Sequence, residues 1–171
     1  MRAYHFLRDD MESGEGNEKA WVIGEEREIT GDIKLCQRGY HSSPSWLDAL
    51  EYAPGNIACI VEVSKLVDKD STKQVSSRRK LIDARNAEHV LREFTCDCAE
   101  RALRKAKVKD EQSWNAIKVS RLYNKGEATK EERDAAWDAT RAAAKAAAWY
   151  AAEIRWQKRH LNKLMARLFN E

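Results

Sequence analysis

This 171-residue chain has little of what proteins use to cross membranes, form crosslinks or hold metals. No apolar run approaches the roughly 18 residues that a membrane-spanning helix needs. The stretch Met1–Leu7 is too short in apolar residues for a secretory signal, so a cytoplasmic protein is expected. Four cysteines, Cys36, Cys59, Cys96 and Cys98, are irregularly spaced. Cys96-Asp97-Cys98 is not the C-x-x-C of a redox helix or zinc ribbon, and Cys36 or His89 would complete a zinc site only by coincidence of folding. The expectation is no metal, with Cys59 and Cys98 as small buried apolar residues in a reducing compartment. His5, His41, His89 and His160 are scattered and form no i, i+4 pair, and Asp9-Asp10 reads as solvated loop carboxylates. No G-x-S-x-G, Walker, H-E-x-x-H or dinucleotide glycine pattern occurs, which removes the hydrolase, nucleotide-hydrolysing, zinc-protease and Rossmann motif classes.

What is present is divided along the chain. Residues 1–95 carry 14 Lys and Arg against 17 Asp and Glu, whereas residues 96–171 carry 17 against 11. Six of the seven glycines lie at or before Gly55. A turn-rich, mildly acidic first part (residues 1–86) therefore joins a basic helical second part (residues 87–171). The expected class is α+β: a small mixed sheet with one short helix, followed by three helices, the last a long alanine-rich one.

In the first part, Ala3–Leu7, Trp21–Ile23, Glu28-Ile29, Ile33–Cys36 and Ile57–Val63 read as strands, Ile57–Val63 the clearest because it is β-branched and continuous, and Gln74–Ser76 with Lys80–Ala84 reads as one last strand or a hairpin. Val67–Thr72 reads as a charged turn. Between them, Arg38-Gly39-Tyr40-His41-Ser42-Ser43-Pro44 leads into a short helix that ends at Pro54-Gly55. Ser43 is the expected N-cap and Pro44 the first helical residue. His41 and Ser42 would then sit at a helix mouth, where backbone donors and the dipole favour an anion or a catalytic group.

The second part is expected as helices over Ala87–Lys107, Glu111–Asn124 and Lys130–Phe169. Gly126 is a natural stop, and Thr129 with Glu132 forms a capping box. Ala135–Ala152 is mostly alanine, interrupted by Trp137, Trp149 and Tyr150, and suits close helix packing. Ile154, Leu161 and Leu168 recur every seven residues, which predicts pairing with another helix, within the chain or across a homodimer. Arg155, Arg159, Lys163 and Arg167 form a basic row whose preferred reading is a solvated face rather than a nucleic-acid contact.

The residues Gly24–Glu26, Leu35–Pro44, Asp48–Ala53 and Lys73–Arg79 resemble an uncharacterised domain of phage and prophage accessory proteins. Cys98–Leu103, Tyr123–Gly126 and the Ala/Trp-rich helix resemble an alanine-rich helical family of immunity proteins. These resemblances imply a non-catalytic protein without a cofactor that binds and blocks a host or competitor bacterial protein. Such an interface would draw on Trp21, Arg38, Tyr40, His41, Trp46, Trp156 and Arg159, since Trp, Tyr and Arg dominate binding hot spots.

Tyr40-His41-Ser42-Ser43 followed by Ala49-Leu50-Glu51-Tyr52-Ala53 is also similar to the strand, turn and helix of ADP-ribosyltransferases. That likeness implies an NAD-using enzyme with its site around His41 and Ser42. It further implies His5 or Arg8 on the first strand, and Glu62 on a later strand to orient the ribose. The chain departs from that family in having no Glu-x-Glu pair on a late strand.

Overall fold

The computed structural model describes residues 1–14, 18–138 and 151–170. Its elements are β1 (Arg2–Leu7), β2 (Glu26–Glu28), β3 (Tyr40–Ser42), α1 (Trp46–Leu50), β4 (Ile57–Lys69), β5 (Gln74–Asn86), α2 (Glu88–Lys105), α3 (Glu111–Asn124), α4 (Lys130–Asp138) and α5 (Ala151–Leu168). The class is α+β, and among the described residues no strand follows Asn86. Two compact units divide the chain: Met1–Glu88 with Leu161–Glu171, and His89–His160.

In the first unit five strands form one sheet with the order β1-β4-β5-β2, and β3 also pairs with β5. Every pairing is antiparallel, where a mixed sheet was expected. Ser43, one residue past β3, exchanges both backbone hydrogen bonds with Tyr4 of β1, at 2.9 and 2.8 Å. The hydrogen-bonded path β1–β4–β5–β3 thus returns to β1. Strand alternation then sorts the residues into two faces. Ala3, Leu7, Cys59, Val61, Val63 and Leu81 join Trp21 and Tyr40 in one core. On the other face Trp46 packs against Tyr4 and Phe6 at centroid distances of 4.4 and 5.9 Å and stacks on Phe169 at 5.4 Å. Full burial of each large apolar side chain contributes about 1.5–3 kcal/mol, so β1 is anchored by packing on both faces.

Several local expectations are corrected. Trp21–Ile23 is not a strand: Trp21 turns inward to the core while Val22 and Ile23 are exposed. Gly24, at φ 90°, makes the turn into β2. Ile33–Cys36 is a tight turn closed by a Lys34–Arg38 bridge, with Cys36 at φ 62°. Of the two arrangements open for Gln74–Ala84, one strand or a hairpin, the structure has one strand, β5, and β4 runs on to Lys69, past the start of the expected turn. The turn between them is Asp70–Lys73, where Asp70 Oδ1 accepts from the Thr72 and Lys73 N–H groups at 2.7 Å each. Ser45, not Ser43, caps α1 by accepting from Asp48 N. Ser43 is taken by its pairing with Tyr4 and cannot adopt a cap's role.

The second unit is built on α2 and α3. Cys96, Leu103 and Ile117 form its apolar cluster, flanked by Ala99, Val108 and Trp114. Arg121 bonds Glu93, Asp97 and Glu100 at 3.0, 2.7 and 2.6 Å, fixing α3 on α2. Gly126, at φ 75°, follows α3 as expected, and Thr129 and Glu132 make the reciprocal bonds of a capping box at 2.7 and 3.2 Å. Helices α4 and α5 cover the two ends of the stretch expected as one long helix. Residues 139–150, including Trp149 and Tyr150, and the side chain of Trp137, lie outside the described residues. On α5 Glu153, Leu161 and Met165 are buried, as is Phe169 just past its end, whereas Ile154 is exposed and Leu168 half-buried. Leu161, Met165 and Phe169 follow a spacing of four, so the side buried within the chain is not the row Ile154, Leu161 and Leu168.

Candidate functional site

A cleft of about 680 Å³ opens in the first unit, where β3 completes the path between β5 and β1. That volume falls within the usual range for small-molecule sites. Tyr4 and His5 reach it from β1, Tyr40, His41 and Ser42 from β3, Arg79 from β5, and Tyr52 from the end of α1. The turn Cys36–Gly39 and the segment around Glu18 form its other walls.

Gly39 makes this arrangement possible. Its φ of 137° lies in the left-handed range, and a Cβ there would come within 2.3 Å of Val75 Cγ2 and 2.8 Å of Ile33 Cγ2. Only a glycine lets the chain lie this close to β5 and then enter β3. His41 is consequently a strand residue rather than part of a helix mouth, and α1 is five residues long. Its Nε2 accepts from Cys36 N at 2.9 Å, which places the ring proton on Nδ1 and holds the tight turn against β3.

At the floor lies Arg79, 3 % exposed. Its Nη1 donates to His41 O at 3.1 Å, and its guanidinium lies over the rings of Trp21 and Tyr40 at 4.4 and 5.0 Å. Burial lowers the Arg79 pKa to about 10, so it remains charged at neutral pH. Glu18 Oε2 lies 3.7 Å from Arg79 Nη2 and accepts from Trp21 Nε1 at 3.1 Å and from Ser13 Oγ. His5 is held well below the ordinary histidine range, first by burial and then by Arg79 and His41. Its Nε2 is shut off from solvent and has no hydrogen-bond partner among the described residues. Cys59, paired with His5 across β1 and β4, is pushed by burial up to about 12 and is an inert thiol. At the rim, Lys73 Nζ lies 4.0 Å from the Tyr52 ring centroid.

The structure therefore brings together His5, Arg38, Tyr40, His41 and Ser42 around one cleft. It does not bring Glu62 there. Glu62 is exposed on β4, out of step with the inward residues Val61 and Val63, and lines a separate groove with Arg2 and Ile82. Arg8 is exposed and paired with Asp10. Arg38, at the cleft wall, is committed to the carbonyls of Asp32 and Thr30 at 2.9 and 2.8 Å.

Trp21 and Trp46 are 3 and 4 % exposed, so they serve the core and are not surface anchors. Trp156 and Arg159 belong to the second unit. There Trp156 stacks on His160 at 4.7 Å beneath Arg101, and His160 Nε2 lies 2.6 Å from Asp97 Oδ2. Arg159 is exposed with the rest of its basic row.

Arg79, Glu18, Tyr52 and Lys73 were not singled out as site residues by sequence reasoning. The signal for Arg79 was its period-two register with Val75 and Leu81, an arginine at an inward strand position. Among the described residues no group of three or more His, Cys, Asp or Glu is placed to hold a metal ion. No described helix is long and apolar enough to cross a membrane.

No curated protein and no solved structure matches the chain. A family model for a domain of unknown function, DUF7666, matches residues 1–93, which include every residue lining the cleft. That match covers more than half of the chain, and the protein belongs to the DUF7666 family.

Proposed function

We propose that the first unit is a binding module whose cleft takes an anionic small molecule, with NAD as the first ligand to test. The observation that carries this reading is Arg79, a buried cation at the floor of a cleft that His5, Tyr40, His41 and Ser42 also line. A guanidinium pairs well with phosphate and carboxylate groups because its donors form a planar fork. NAD enters through the likeness of the Tyr40–Ala53 segment to ADP-ribosyltransferases. The reading is of binding rather than group transfer. Glu62 is remote, and Glu18, the one carboxylate among the described lining residues, is already bonded to Ser13 and Trp21. Ligand bound to the native state raises apparent stability. A rise in melting temperature with NAD or ADP-ribose, lost in Arg79→Gln, is expected; no shift with either ligand would sink the reading.

A partner-blocking role, implied by the phage and immunity resemblances, draws on a different surface. Val22, Ile23 and Ile82 are 65, 54 and 42 % exposed, and Ile23 and Ile82 line one groove with Arg2 and Phe169. On this reading a bacterial protein captured by the wild type is lost in an Ile23→Asp, Ile82→Asp double variant. Capture that survives both changes would rule out this surface.

A further inference from the structure

The cleft carries a carboxylate of its own, and its placement bears on what the cleft selects. Glu18 Oε2 stands 3.7 Å from Arg79 Nη2, beyond hydrogen-bond length. The same oxygen is held by Trp21 Nε1 at 3.1 Å and by Ser13 Oγ. The segment that follows is tied down independently, since Arg27 donates to Lys19 O at 2.7 Å and to Ala20 O at 2.6 Å. Glu18 is thus positioned by its neighbours to balance Arg79 without closing on it. Arg79 has five N–H donors in a fork, and among the described residues only its Nη1 makes a direct hydrogen bond, to His41 O.

We propose that Arg79 reads a phosphate group of the cleft's ligand and that Glu18 is a built-in competitor for that position. This inference rests on the binding reading above and adds to it a ligand class and a selection device. A single carboxylate entering the cleft only replaces the charge Glu18 already supplies, whereas a phosphate brings more charge and more acceptor oxygens. The rim adds Lys73 as a second cation and Tyr52, 44 % exposed, as a ring face. The ligand class is therefore a phosphorylated compound with an aromatic base, a nucleoside phosphate.

The test compares wild type with Glu18→Gln, which retains an acceptor for Trp21 and loses the charge, using ADP and adenosine as probes in calorimetry. Glu18→Gln should bind ADP about tenfold more tightly, the scale of removing one competing charged contact, with adenosine affected equally little in both proteins. In parallel, the Trp21 indole N–H signal, assigned with a Trp21→Phe variant, should move in wild type as ADP saturates and Glu18 is displaced. That second readout decides the matter should Glu18→Gln fold poorly. ADP binding that leaves the Trp21 signal unmoved, or is no tighter in Glu18→Gln, overturns the role of Glu18 and leaves the binding reading standing. Failure of both proteins to bind ADP or NAD overturns both.

Discussion

Arg79 of β5 donates from Nη1 to the backbone carbonyl of His41 on β3, 3.1 Å away. The bond joins a buried charge to the strand that completes the β1–β4–β5–β3 path, so the group that would recognise an anion also helps hold the cleft's shape. Trp21 and Tyr40, which pack edge to face at 5.6 Å, both carry the guanidinium on their rings. Site and core are continuous here.

Replacing Arg79 with Gln is expected to reduce both stability and ligand affinity. The change strands Glu18 beside a buried site, and about 3 kcal/mol of stability is expected to be lost, at the low end for breaking a buried pair because Glu18 keeps access to water. Urea denaturation of Arg79→Gln measures it. A variant as stable as the parent would show that the buried cation is not needed for the fold.

Gly39→Ala tests the approach to β3. The left-handed φ and the 2.3 Å encounter with Val75 Cγ2 both act against any side chain. A destabilisation of about 2 kcal/mol or more is expected, the sum of backbone strain and overpacking. Gly24→Ala is the control, since its φ is also positive but nothing lies within 4 Å of the added Cβ. Equal melting temperatures for the two variants would contradict this account.

The cap of α1 is Ser45, whose Oγ accepts from Asp48 N at 3.3 Å and donates to Asp48 Oδ2 at 2.5 Å. Ser45→Ala should cost about 1 kcal/mol. Ser43→Ala should cost less, because Ser43 bonds Tyr4 through its backbone, which the substitution keeps. A larger loss at Ser43 in thermal melts would reverse the assignment.

Acid should weaken the fold through His5. Its folded pKa lies well below the ordinary value of 6.5, mainly because the ring is buried. The unfolded chain therefore binds a proton that the native state refuses. The contribution is fully present above about 6.5 and is lost as pH falls below that value toward the folded pKa. Urea midpoints should decline between about pH 7 and pH 5 in the parent and decline less in His5→Leu. Parallel curves would show that His5 is not the group responsible.

Much of this protein was determined by sequence alone, where the governing forces are local. The α+β class, the strands at Ala3–Leu7 and Ile57–Val63, the end of α3 at Gly126 and the Thr129–Glu132 capping box follow from periodicity, turn residues and caps, which act over a few residues. The polar cluster Arg38–Ser42 was visible in the sequence, but the place of Tyr40–Ser42 in strand β3 rather than in a turn before a helix was not. Tertiary structure decided the rest. Ser43 was the cap expected from local rules, but pairing with Tyr4, 39 positions earlier, claimed its backbone and Ser45 caps the helix instead. Trp21 left its strand because the interior offered Tyr40 and Arg79 as partners. Leu161, Met165 and Phe169 are the apolar residues buried within the chain here because burial selects whichever face of a helix meets the core. The chemistry of the cleft was the least legible part, since Glu18 and Arg79 are separated by 61 residues and meet only once the sheet has formed. A sequence states which charges a chain carries; the fold decides which of them are taken out of water together.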